Sequence, residues 1–389
     1  MYECYPARAI EIESIDELRQ HIDTAGDLNN IVVQGLDLRT DGLDEAMRGV
    51  SAENAFFLGC KLPPEVEAHV QQSGGIIFPA FVGVPFNAYR ATLYTPDELM
   101  AGYRRGDRSS FSETTDGQIY AYYKERKSAS RATPVMDALA FRIHDHAIDD
   151  ALHDLLFPPD APDKRVVGLM GGHQMRRDAD TFLQVARITR RLTRQGYFIA
   201  TGGGPGAMEA ANLGAYLSGA PEDALVDAVA TLADAPHYTD AAYFDRAYAV
   251  RDAHPDGAEN LAVPTWFYGH EPSNLFASHI AKYFANSIRE DGLLAIAHHG
   301  VIYAPGSAGT IQEVFMDAAQ NHYASLGTIS PMVFFGDDYW TDQEPVYPLL
   351  QKLAAGHPYA DLLTISDDVD AIVDFIVTHE PMPADALDA

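Results

Sequence analysis

The chain has 389 residues, is 47% hydrophobic and 21% charged, and carries a formal charge of −29. Such a length suggests about two or three domains, of which two fits the sequence better, with enough apolar material for a sizeable core. The acidic surface repels phosphate backbones, so a nucleic-acid polymer is excluded as the expected partner.

A small phosphorylated ligand stays compatible with that charge, because local amides and helix dipoles can hold one phosphate. No run approaches the roughly eighteen apolar residues that a membrane span needs. Residues 1–20 are acidic and amphipathic, without a signal-peptide pattern. Cys4 and Cys60 stand too far apart for a disulfide framework or metal-ligand spacing. A protein of the reducing cytoplasm, without a cysteine-held metal, is therefore expected.

In chain order, residues 1–150 read as a smaller α/β accessory domain. IVVQGLDL (31–38), AFFLGCKL (55–62) and GGIIFPAF (74–81) have the look of short buried strands, and TPDELMAGY (95–103) that of a capped helix. No internal repeat is evident. Residues 104–130, rich in Arg, Ser, Thr and Lys, are expected to be a linker or an exposed loop. Residues 134–157 form an amphipathic helix or helix pair. His144, His146 and His153 lie there, and the 144/146 spacing puts those two on different faces. They are expected to be surface or packing histidines.

Residues 151–389 alternate apolar strands with helices. Strands are expected at 166–170, 197–201, 225–232, 261–267, 301–303, 332–335 and 362–365. Helices are expected around 182–192, 207–219, 274–289, 310–324, 346–355 and 369–377. The alternation implies an α/β class with a Rossmann-like, doubly wound parallel sheet. Ligands in such sheets sit at the carboxyl ends of the strands, where the glycine clusters fall. Residues 361–389 end in a Pro/Ala/Asp tail expected to fray.

TGGGPGAMEAAN (201–212) follows a strand directly. Gly202, Gly203 and Gly204 allow a sharp turn that exposes N–H groups, and Pro205 suits the opening of a helix. A ring of amides at a positive helix end suits a phosphate, although such turns also serve close packing alone. Glu209, one turn into the helix, is placed either to meet a ligand hydroxyl or to face solvent. APGSAGTIQEVF (304–315) repeats the strand–glycine–helix arrangement with Gly306 and Gly309. Thr310 can cap the helix or bind a phosphate. Thr310 and Glu313 also have the spacing of a capping box, the structural alternative for both. Gly171, Gly172 and His173 follow the first strand at the ligand-facing edge, as contacts or as a plain tight turn. WFYGHEPSN (266–274) could stack a base or fill the core.

Together, GGGPGAMEAAN and PGSAGTIQE resemble the LOG family of nucleoside-monophosphate phosphoribohydrolases, long misnamed lysine decarboxylases. The resemblance covers about residues 165–377. The N-terminal extension and the EPSN segment (271–274) are similar to the longer pyrimidine/purine nucleotide nucleosidases in that family. The resemblance implies a Rossmann-like fold, a homodimer or higher homo-oligomer, and no cofactor. It places Gly202, Gly203, Gly204, Gly206 and Met208 in the first loop, and Pro305, Gly306, Gly309, Thr310 and Glu313 in the second. Gly171, Gly172 and Asn274 join the expected ligand-binding set. Glu313 takes the family's catalytic glutamate position, with Glu209 as the second carboxylate. Two departures stand out. Ser307 replaces the second glycine of PGG, and the arginine on the helix before that strand has no clear match, Arg289 and Lys282 being nearest.

The function so implied is hydrolysis of the N-glycosidic bond of nucleoside 5′-monophosphates to free base and ribose 5-phosphate. The alternative is a nucleotide-binding sensor or carrier without significant hydrolase activity, which the two departures favour. A dinucleotide-dependent oxidoreductase lacks the acidic residue that would read the ribose. Lysine decarboxylation lacks a lysine beside either glycine loop.

Overall fold

A computed structural model describes residues 10–39, 42–127, 132–268 and 272–384. The chain divides into two compact units, one of Met1–Leu93 with Tyr122–Leu155, the other of Tyr94–Ala121 with Leu156–Ala389. Among the described residues, no helix is long and apolar enough to cross a membrane.

The smaller unit begins β1 (Ile10–Ile12), α1 (Ile15–Ala25), β2 (Ile31–Gln34), α2 (Leu43–Arg48), β3 (Phe56–Leu58), α3 (Pro64–Gln72) and β4 (Ile76–Phe78). Its four strands pair in parallel in the order β1-β2-β3-β4. Ile12, Ile31, Val33 and Phe57 point to a core shared with Leu18, Met47, Val66 and Val70 from the helices.

The register uncovers a repeat that the sequence reading missed. Val32 lies opposite Phe56, and Phe56 opposite Ile76. Asn30, Asn54 and Gly74 therefore fall on one line, and all three adopt positive φ, of 57°, 57° and 90°. Gly35 and Gly59 form a second such line, and Asn54 Nδ2 donates to Asn30 Oδ1 at 3.4 Å. The turn demands a left-handed backbone, which Asn and Gly supply interchangeably, so the repeat is conformational with little identity to betray it.

The chain continues through α4 (Pro96–Leu99), a 3-10 stretch at Arg108–Glu113 and α5 (Thr115–Arg126), into the long α6 (Val135–Leu156). Thr95 caps α4 as its side chain suggested. His144 is buried on α6, whereas His146 and His153 are exposed.

Residues 104–127 are not the linker or exposed loop expected; 128–130 lie outside the described residues. Arg105 is ion-paired to Asp252 and stacks 4.6 Å over the Tyr248 ring. Arg108 reaches the Tyr238 carbonyl, and Phe111 stacks on Phe244 at 5.1 Å. Polar composition hid a segment that belongs to the larger unit as far as Ala121 and to the smaller from Tyr122, so a single boundary at residue 150 does not describe the chain.

The larger unit contains β5 (Arg165–Met170), α7 (Asp180–Arg194), β6 (Tyr197–Thr201), α8 (Ala207–Tyr216), α9 (Glu222–Ala233), α10 (Tyr243–Ala253), β7 (Leu261–Ala262), β8 (His279–Ile280) and α11 (Asn286–Ile296). There follow β9 (Val301–Tyr303), α12 (Ala308–Tyr323), β10 (Thr328–Ile329), β11 (Met332–Phe335), α13 (Val346–Ala354), β12 (Leu363–Ser366), α14 (Val369–Thr378) and β13 (Met382–Pro383). Seven strands form one parallel sheet in the order β12-β11-β9-β5-β6-β7-β8. The fold is α/β and Rossmann-like. Strand order reverses between β5 and β9, and such a switch opens a crevice at the carboxyl ends of the strands.

Three expectations fail here. Residues 225–232 form helix α9, not a strand, because Leu225, Ala228 and Leu232 recur at helical spacing and are buried. Residues 274–285 form no helix: β8 lies there, and α11 starts only at Asn286. Leu275, Phe276, Ala277, Ile280 and Ala281 are all buried, as in a strand covered on both faces, where no helical periodicity survives. The tail is ordered through Met382–Pro383, which pairs antiparallel with β10; residues 385–389 lie outside the described residues.

Helix α7 buries Phe182, Val185, Ala186, Ile188 and Leu192, and α8 offers small residues to it. A Cβ on Gly214 would land on the Ala186 carbonyl and Thr189 Oγ1. Helix propensity favours Ala over Gly by ~1 kcal/mol, but overpacking costs ~1–3 kcal/mol. Gly214→Ala is therefore expected to destabilise, read as a lower midpoint in urea unfolding.

Candidate functional site

Beyond the ends of β5, β6 and β9 lies a cleft of about 410 Å³, within the range of small-molecule sites. Gly171, Gly172, Gly202, Gly204, Met208, Ser307, Gly309, Thr310 and Glu313 line it. Gly203, Gly206, Glu209, Asn274 and Gly306, expected beside them, do not.

The first glycine loop is held from within. Gly203 N–H donates to Thr201 Oγ1 at 3.0 Å, Gly204 N–H to Met208 Sδ at 3.4 Å and Ala207 N–H to the Gly172 carbonyl at 3.2 Å. The amide ring expected for a phosphate is thus largely engaged in shaping its own turn. Asn274 belongs to the same support. Its amide donates to Asn212 Oδ1 at 2.8 Å, and its backbone N–H to the Gly203 carbonyl at 2.8 Å. Asn212 also donates to Asn260 Oδ1 at 2.7 Å. This buried amide network braces the loop from behind.

Glu209 is neither in the cleft nor in solvent. It is 1% exposed and accepts both prongs of Arg177, at 2.8 and 2.5 Å. Arg177, equally buried, also donates to the Ala235 and Tyr243 carbonyls. The second carboxylate expected at the ligand is a structural ion pair.

The second loop is open. Ser307 is the N-cap of α12 and makes no side-chain cap bond. Ser307, Ala308 and Gly309 are exposed, and the N–H groups of a first helical turn have no partner inside the helix. Thr310 is the third helical residue, so the capping-box reading of Thr310 and Glu313 fails. Gly306 stays behind the lining, where the Thr310 side chain occupies the place a Cβ would take.

Glu313 stands one turn further in. Burial, opposed by Arg289 and reinforced by Glu290, pushes its carboxyl up to about 7. The sequence reading took it as ionised at neutrality; here it is near its midpoint. Arg289 Nη1 reaches Glu313 Oε1 at 3.4 Å, and Nη2 reaches Asn286 Oδ1 at 2.8 Å and Glu290 Oε1 at 3.5 Å. Arg289 Nε is buried without a hydrogen-bond partner. Arg289, one of the two residues nearest to the arginine that the resemblance implies, lies on α11 ahead of β9. The choice between Arg289 and Lys282 stayed open because the helix was expected from residue 274, whereas α11 begins at Asn286. Lys282 is on no helix and is bound to Asp116 and Ser273 at 2.9 and 3.0 Å.

Glu290 and Gln312 also line the cleft and were not singled out from sequence, and Tyr268, from the segment read as able to stack a base or fill the core, lines it too. Within 266–274, Trp266 is buried and donates to Asp116 Oδ1 at 2.7 Å, whereas Tyr268 keeps half its surface exposed. Glu271 lies outside the described residues.

Below Glu313, Asp317 accepts from Tyr303 Oη at 2.7 Å and Asn321 Nδ2 at 3.2 Å, and burial pushes it up to about 7.

Two stability predictions follow from these buried groups. Arg177→Met leaves Glu209 uncompensated and should cost about 3–5 kcal/mol in denaturant unfolding. For Asp317, a carboxyl raised on folding contributes most below its unfolded value near 4 and loses that contribution as pH climbs to about 7. Asp317→Asn, which stays neutral, should therefore raise Tm relative to wild type at pH 8 more than at pH 5. An equal difference at both values would remove the carboxyl from the pH response.

No family model matches the chain, and no curated protein matches it in sequence. Among solved structures it is similar to the molybdenum cofactor binding protein of Rippkaea orientalis, with 17% identity, 56% of this chain and 98% of that chain covered, and a TM-score of 0.35. It is similar also to the Moco carrier protein of Chlamydomonas reinhardtii, with 17% identity, 55% and 98% covered, and a TM-score of 0.34.

Proposed function

We propose that the cleft binds a nucleoside 5′-monophosphate by its phosphate and hydrolyses its N-glycosidic bond. The observation that carries this reading is the pair of Glu313 and Arg289, facing a cleft whose rim is the open first turn of α12. The phosphate would sit on the exposed N–H groups of Ala308 and Gly309, with the Ser307 and Thr310 hydroxyls beside them. That anchor is remote from the bond being cut, so its binding energy can orient the ribose.

Hydrolysis breaks the bond between C1′ and the base nitrogen. Water adds its oxygen to C1′, and a proton ends on the departing base. Positive charge builds on the sugar along the way, and an ionised Glu313 stabilises it or takes the proton of the attacking water. Arg289, loosely paired at 3.4 Å, keeps that carboxylate oriented.

A second reading, nucleotide binding without turnover as a sensor or carrier, has its own support. Ser307 stands where the resemblance expects glycine, and Glu209 is committed to Arg177, so no second carboxylate from the first loop reaches the sugar.

Incubation with AMP, GMP, CMP, UMP, IMP and N6-isopentenyl AMP, with chromatography for free base, separates the two. The wild type is expected to release base from at least one of them, and Glu313→Ala to lose about 100-fold or more of the rate. Since the ionised carboxylate works, the rate should climb as pH rises through about 7. A nucleotide that raises Tm with no base released would instead favour the carrier.

A further inference from the structure

We propose that Glu290 is the positioning residue of this cleft, a clamp that holds Arg289, Tyr268 and Gln312 in place around Glu313. The proposal rests on the reading above that Glu313 acts on a bound nucleotide. Nothing in the two glycine motifs draws attention to Glu290, which sits on α11 directly after Arg289.

The geometry is that of a hub. Glu290 is 92% buried, with 8% of its surface exposed. Its Oε1 accepts from Asn286 Nδ2 at 2.6 Å, Tyr268 Oη at 3.4 Å and Arg289 Nη2 at 3.5 Å. Its Oε2 accepts from Gln312 Nε2 at 2.8 Å. These donors come from three places in the chain: the segment after β7, helix α11 itself and the exposed edge of α12. Asn286 makes the arrangement stiffer by donating to Tyr268 Oη at 3.2 Å. Each donor is a long, flexible or half-exposed side chain whose rotamer freedom would otherwise have to be lost on binding. A buried carboxylate with its acceptor sites taken fixes them beforehand.

The clamp also divides Arg289. One guanidinium nitrogen goes to Asn286 and Glu290, and only the other faces Glu313, at a loose 3.4 Å. Were Glu290 neutral, Glu313 would hold the guanidinium with no competing carboxylate and would lose a repulsive neighbour. The charged and titratable groups around Glu313 are Arg289 and Glu290 from α11, Tyr268 from the segment after β7, Tyr303 from β9, Asp317 on its own helix, and His173 across the cleft. Of these, Glu290 is the one whose charge raises Glu313, against the arginine's opposite pull.

The test follows the Glu313 carboxyl by NMR in protein carrying 13C-labelled glutamate, its signal assigned with Glu313→Gln, alongside the pH profile of base release. In E290Q the Glu313 midpoint is expected to fall by about one pH unit, and the acid limb of base release to move with it. A folded E290Q whose Glu313 titrates at the wild-type midpoint would overturn the proposal. If E290Q fails to fold, E290D carries the test, because it keeps the charge but is too short to reach both Asn286 and Gln312. Its midpoint should stay near wild type while KM rises several-fold, and an unchanged KM overturns the clamp. If the wild type releases no base from any nucleotide, the hydrolysis reading fails, and the carboxyl titration alone decides the clamp.

Discussion

The site depends on three loops touching backbone to backbone. Gly206 enters α8 at a φ of 74°, and a Cβ there would collide with the Gly172 carbonyl and His173. Ala207 N–H donates to that same carbonyl, and Gly172 N–H donates to the Pro305 carbonyl. The turns after β5, β6 and β9 are thereby tied at a spacing that no larger residue would permit. With the spacing fixed, the reversal of strand order between β5 and β9 becomes a crevice of definite width. The open first turn of α12 then faces the end of β5 across it.

This constraint changes the meaning of the glycine motifs. Gly203 and Gly206 read equally well as phosphate contacts and as packing glycines, and the structure places them behind the lining. Gly203 N–H turns inward to Thr201 Oγ1, and the missing Cβ of Gly206 leaves room for the Gly172 carbonyl and His173. Gly202 and Gly204 of the same motif reach the cleft wall, as do Gly309 of the second and the plainer Gly171 and Gly172. Glycine composition marks where backbones come close, and it does not say whether the close neighbour is a ligand or another turn.

What could be read from sequence divides along the same physical line. The parallel sheet was legible because buried strands such as 166–170 and 197–201 are continuous apolar runs ending in glycine. Glu313 was legible from its place after the second loop. The stretch 274–289 was not, because burial on every side of Phe276 and Ile280 erases the period that separates helix from strand. That one misplaced boundary left Arg289 undecided against Lys282 and Glu290 unnoticed. Glu209 shows the opposite limit. Its helix position was plain, but the Arg177 that captures it lies 32 residues earlier in a stretch with no pattern. Spacing along one helix reports its own faces and says nothing of which distant cation completes a pair. The smaller unit's repeat was hidden because its lines of Asn and Gly preserve a dihedral angle and not a residue.

Two buried arginines are held very differently, one saturated by its partners and the other not. Arg177 makes a bidentate pair with Glu209 and donates to two carbonyls, in a site exposed by 1%. Its donors are engaged at short range, so a ligand would have to displace a strong buried pair to use them, a loss of several kcal/mol. Arg289 is held differently. Its contacts to Glu313 and Glu290 are 3.4 and 3.5 Å, longer than a charge-assisted bond prefers, and its Nε has no partner. An arginine shared between two carboxylates at such distances can tighten onto either with little rearrangement. In a chain of net charge −29, most approaching anions meet repulsion. The cleft counters this with one guanidinium that is buried, and so weakly screened, but not saturated. Its pull on Glu313 works against burial and Glu290, and that opposition leaves the carboxyl close to neutrality, where a small change in either neighbour moves its charge the most.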